Sequence, residues 1–133
     1  MKMHTSSITL RLCLIIVCSV FLLTGCLSAT TQIPYATSVP PEELCTIKFA
    51  GNLTVKNFDE KEVNWSSDFG DYWFSVQLPA GEHTFMVDYD QTMNRAWIQR
   101  RNIPLTYDFT AGRTYQVAMA GFGVHLLVTD ITE

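Results

Sequence analysis

Long apolar runs, close-set metal ligands and excess positive charge are all missing from this chain. Its main apolar run, Leu12 to Leu22, spans 11 residues and is interrupted by Ser19. That is well short of the about 20 residues a membrane-spanning helix needs. Cysteine and histidine are sparse, and after residue 25 no two of them stand at the short spacing of a structural zinc site, so no metal or other cofactor is expected. Formal charge is −4 with only 9 lysines and arginines. No nucleic-acid-binding motif is present, and the acidic balance argues against a phosphate-backbone partner. Nucleophile elbows are lacking too, so serine, histidine and aspartate have no catalytic arrangement and no enzyme is expected.

What is there begins at the amino terminus. Lys2 and Arg11 precede the apolar run without an acid among them. Leu23-Thr24-Gly25-Cys26 follows it. Charge, apolar length and small residues before a cysteine resemble the lipobox of a bacterial lipoprotein signal peptide. The resemblance implies removal of residues 1–25 and attachment of a diacylglyceryl group to the Cys26 thiol. Further acylation of its amine, with palmitate-type chains, follows in many bacteria. Two or more chains give stable membrane anchoring, since each buried methylene contributes about 0.8 kcal/mol. Leu27, rather than aspartate, stands next, which in a Gram-negative host implies the outer membrane.

Loss of the signal peptide removes Cys13 and Cys18. With Cys26 lipidated, only Cys45 remains, so no disulfide forms within the domain. Cys45 lies in an alternating run, where a free thiol acts as a small core residue. Residues 26–43 are rich in serine, threonine and proline and lack periodicity. They read as the lipidated cysteine and a flexible tether, with a reach of roughly 20 Å.

Residues 44–133 read as one domain of strands. Cys45, Ile47 and Phe49 share one face of an alternating run, as do Leu53 and Val55 in the next. Val63 to Trp65 starts another short strand. Tyr72, Phe74, Val76 and Leu78 alternate, then His83, Phe85, Val87 and Tyr89, then Leu105, Tyr107 and Phe109, and then Tyr115, Val117 and Met119. Val124 to Thr129 closes the set. Period-2 runs with turn signals every 8–12 residues predict an all-β, antiparallel sandwich of about seven strands. Gln91 to Arg101 is the one stretch with a possible helical turn or two.

Two turns echo one another: Leu78-Pro-Ala-Gly-Glu-His-Thr-Phe85 and Phe109-Thr-Ala-Gly-Arg-Thr-Tyr115. Each reads as a hairpin turn opening onto an aromatic-bearing strand. With the polar turn at Phe58 to Val63, these phrases resemble small bacterial envelope lipoproteins with a PEGA-like or transthyretin-like β-sandwich. The resemblance implies envelope association and no catalytic residues.

Binding candidates lie in Asp90 to Asn102. Arg95, Trp97, Arg100 and Arg101 gather there with Met93, and tryptophan and arginine dominate binding hot spots. Arginine also suits anionic headgroups and acidic glycans. A hairpin connection whose Trp97 and Ile98 fold back onto the core fits the same residues. The aromatic stretch Trp65 to Trp73 is expected to fill the core, and His83 to pack or hydrogen-bond beside its turn. The chain is thus expected to be a lipid-anchored envelope module that binds or supports, with an envelope protein or glycan as partner. The alternative is a carrier for a small lipid, glycan or metal ligand.

Overall fold

The computed structural model describes residues 30–33, 38–68, 71–121, 123 and 125–133. The expected signal peptide and Cys26 lie outside the described residues. Nine strands form among the described residues: β1 (Thr30–Ile33), β2 (Leu44–Ala50), β3 (Leu53–Phe58), β4 (Lys61–Trp65), β5 (Trp73–Pro79), β6 (Gly81–Met93), β7 (Ala96–Phe109), β8 (Thr114–Ala120) and β9 (His125–Asp130). A 3-10 turn at Pro41–Glu43 leads into β2, and there is no α-helix among the described residues. One sheet runs β1-β5-β2-β8-β9 and the other β4-β3-β6-β7.

Most of the alternation read from the sequence is the alternation that packs, although Tyr72 and Tyr107 are exposed. Cys45, Ile47 and Phe49 of β2 are buried, with Leu53 and Val55, Phe74, Val76 and Leu78, Phe85, Val87 and Tyr89, and Tyr115 and Val117. A strand side chain reverses face at every residue, so one apolar set per strand suffices to face the opposite sheet. Phe49 stacks on Phe74 with ring centroids 5.1 Å apart and meets Phe85 of the other sheet edge-on at 5.5 Å. Phe109 lies 6.0 Å from Phe85 and 5.0 Å from Tyr115. These rings fill the space between the sheets.

Several expectations need correction. Residues 44–133 hold eight strands rather than about seven, and a further strand, β1, comes from the segment assigned to the tether. Pairing is not wholly antiparallel: β1 runs parallel to β5, and β2 parallel to β8. The two echoing turns are corners between sheets, not hairpins. The first carries the chain from β5 in one sheet to β6 in the other, and the second from β7 back to β8. Gly81 and Gly112 take positive φ of 128° and 74° there, a conformation glycine enters without a Cβ penalty. Both corners are pinned to the start of β2. Ala80 N–H donates to the Glu43 carbonyl at 2.9 Å, and Gly112 N–H to the Leu44 carbonyl at 2.8 Å.

Gln91 to Arg101 contains no helix. It completes β6 and opens β7, joined by the two-residue turn Asn94-Arg95 with φ of 48° and 67°. Positive φ at both positions marks a type I′ turn, whose twist matches paired strands. The pairing continues unbroken from Tyr89–Arg100 out to Met93–Ala96.

Candidate functional site

β3 supports β6 only as far as the Leu53–Tyr89 pair. Beyond it, residues 90–99 extend as a two-stranded arm with no third strand among the described residues. Thr92 to Trp97 are all exposed, and Trp97 keeps 69% of its surface in contact with solvent. Cross-strand partners share a face, so Trp97 stands with its partner Thr92, opposite to Met93 and Ala96. Ile98, one residue on, turns inward and packs against the core. The two residues expected to act together are therefore split by the pleat: Ile98 folds back and Trp97 does not.

The three arginines differ. Arg101 makes a forked contact with Asp90, Nη1 to Oδ2 at 2.7 Å and Nη2 to Oδ1 at 2.9 Å, and its Nη1 lies 3.5 Å from Asp88 Oδ2. These carboxylates push its guanidinium further toward the charged form, mainly through the Asp90 hydrogen bonds. Arg101 thus fastens the root of the arm. Arg95 and Arg100 are exposed and have no ion pair among the described residues. Asp88 also accepts the Asn102 N–H at 2.9 Å, where a bulge lets β7 gain a residue on β6. On the inward side, the arm root is covered by the β8–β9 connection. A Cβ at Gly123 would lie 3.1 Å from Tyr89 Cε1 and 3.9 Å from Ile98 Cγ2, so only glycine allows that approach without displacement.

The aromatic stretch Trp65 to Trp73 is also divided. Trp65 is buried beside Phe58, as expected. Tyr72, expected on the inner face with Phe74, is 81% exposed because β5 begins only at Trp73. It borders an open cleft of about 410 Å3 with Ala50, Gly51, Asn52, Asp71 and Asp90. Asn52 Oδ1 is buried without a hydrogen-bond partner among the described residues.

His83 and His125 do not meet. His83 opens β6 opposite Tyr107, whereas His125 opens β9 opposite Ala120, at the other end of the sandwich. Among the described residues no three His, Cys, Asp or Glu side chains gather as a metal-holding set. His83 is a structural bridge. Its Nδ1 lies 2.6 Å from Asp59 Oδ2 and its Nε2 2.7 Å from the Pro79 carbonyl, with the ring 5.0 Å from Phe58. Asp59 also accepts the Thr84 N–H at 2.9 Å. The ring therefore ties the β3–β4 hairpin to the β5–β6 corner.

No family model matches this chain, and no curated protein or solved structure shows significant similarity to it.

Proposed function

We propose that this chain is a lipid-anchored, non-catalytic module of the bacterial cell envelope, held through Cys26 and meeting its surroundings with the β6–β7 arm. The anchoring part rests on the signal-like residues 1–25 and the lipobox ending at Cys26. The resemblance to small envelope lipoproteins with a PEGA-like or transthyretin-like domain points the same way. An all-β structure in two sheets agrees with such a domain without selecting it from other sandwiches.

The observation that carries the contact reading is Trp97. A tryptophan 69% exposed on a supported strand leaves a large apolar surface in water, and such surface marks contact sites when it is grouped with other binding residues. Two exposed arginines without ion pairs among the described residues belong to the same arm, Arg95 in its turn and Arg100 on the face opposite to Trp97. The carrier alternative needs an enclosed apolar cavity. Its support is weaker, because aromatic rings fill the space between the sheets and the clefts described, about 300 to 410 Å3, are open to solvent.

One comparison tests both parts. The full chain is expressed beside Cys26→Ser and Trp97→Ala/Arg100→Ala variants. The native protein is expected to lose residues 1–25, gain acyl mass at Cys26 and enter the detergent phase. Cys26→Ser is expected to do none of these. Trp97→Ala/Arg100→Ala is expected to be processed normally yet lose the crosslinks that the native arm forms in intact envelopes. Unchanged crosslinking by the folded variant removes the arm from the proposal.

A further inference from the structure

We infer that the arm end of the domain faces the bilayer holding the anchor, and that Trp97, Arg95 and Arg100 lie in its headgroup layer. This rests on the reading that Cys26 is lipidated, and it names what the arm touches. The argument begins with β1. Thr30 pairs with Trp73 and Ile33 with Val76, so β1 starts at the Trp73 end of β5. Ala50 pairs with Trp73, and the corner after Ala50 leads directly to the Leu53–Tyr89 pair. The beginning of β1 and the root of the arm are therefore at one end of the sandwich.

Chain length makes this placement consequential. Only Leu27, Ser28 and Ala29 separate Cys26 from Thr30. Fully extended, that connection reaches about 14 Å. The arm runs four residues past Tyr89 to Met93, a length of about 13 Å. A domain tethered so closely by this end has an arm long enough to meet the surface to which it is tied. The long flexible tether expected from residues 26–43 would have left orientation free, but β1 removes most of it.

Charge and side-chain chemistry favour the same orientation. From Gln91 to Tyr107 the chain carries three arginines and no acid. Glu42, Glu43, Asp59, Glu60, Glu82 and Asp108 lie toward the opposite end, beside the two corners and the β3–β4 hairpin, and outnumber Lys61 and Arg113 there. The arm end is therefore the less acidic of the two, and an anionic membrane repels it less than the other. The nearest acids to the arm, Asp88 and Asp90, are engaged by Arg101. Asp68 and Asp71 precede Tyr72 at the same end. Tryptophan prefers the interfacial layer, where an apolar ring and a polar N–H both find partners.

The test uses the full lipidated protein in vesicles of phosphatidylethanolamine and phosphatidylglycerol, some brominated near the headgroup end of the acyl chains. Tryptophan emission is compared with a Trp97→Phe variant, since Trp65 is buried and Trp73 half-buried. Quenching is expected to be stronger in the native protein than in Trp97→Phe, where only the half-buried Trp73 remains at this end. Arg95→Glu/Arg100→Glu is expected to float with the vesicles but show weaker quenching. A lipidated, floating protein whose Trp97 is not quenched overturns the orientation alone. So does a Trp97 that remains unquenched while crosslinking to an envelope protein. A chain of unmodified mass that fails to float overturns the anchoring reading itself.

Discussion

Cys45 shows how a single buried residue couples to solution conditions. Its side chain is 1% exposed, and its thiol lies 3.4 Å from the Leu78 carbonyl. Burial pushes the thiol up from its ordinary value, because the thiolate would lose hydration; hydrogen bonds at Cys45 and Leu78 oppose this more weakly. The folded state thus holds the proton more tightly than the unfolded chain does. Stability from this residue is intact below the unfolded thiol range and falls as pH rises through and above it. Urea midpoints are expected to drop between pH 8 and pH 10 by more in the native protein than in Cys45→Ala. An equal drop in both would mean that other groups account for all the alkaline loss.

The arm shows the same physics at the level of an element. Its turn places Asn94 and Arg95 at positive φ. Asparagine tolerates this conformation, whereas arginine bears a Cβ clash of about 1–2 kcal/mol there. Glycine at the second position would remove that clash at a smaller entropic cost. Arg95→Gly is expected to raise unfolding stability by about 1 kcal/mol, measured by urea titration, while weakening any anionic contact of the arm. A destabilised Arg95→Gly would show that the arginine side chain contributes to the fold. The sequence at this turn was ambiguous for a physical reason. Asn-Arg is not a strong hairpin signal, and Gln91 to Arg101 carries few apolar residues to set a period. Cross-strand pairing with an already anchored β6, reinforced by Arg101 and Asp90, decides for strand.

Across the whole molecule, stability comes from the rings between the two sheets. Phe49 is fully buried in the centre of this contact, touching Phe74 in its own sheet and Phe85 in the other. Phe49→Ala is expected to cost about 3–5 kcal/mol, from lost transfer energy and the cavity left behind. That is a large share of the about 5–15 kcal/mol typical of a domain. Denaturant unfolding would measure it, and a cost below about 1 kcal/mol would show that the sheets do not close on this residue. By contrast, the exposed Arg101–Asp90 pair contributes little to global stability, since water and salt screen it. Its effect is local, at the arm.

Alternation alone grouped the residues that share a face, and for most strands the apolar set faces inward. Ile47, Phe49, Leu53, Val55, Val76 and Val87 were legible because strand faces repeat every two residues whatever the topology. The expected lipid site also comes from sequence alone, since the signal-like residues and Cys26 are read as a linear pattern. The tertiary structure decided which sheet each strand joins. Ala-Gly turn chemistry encodes a reversal of direction, and a reversal serves equally as a hairpin or as a corner between sheets. It also decided that Thr30–Ile33, with no apolar pattern of its own, finds backbone partners along β5. Last, it separated Trp97 from Ile98 and Arg101 from Arg100. Adjacent residues on a strand point to opposite sides, and only the neighbouring strands determine which side is core, which holds a carboxylate and which is left to solvent.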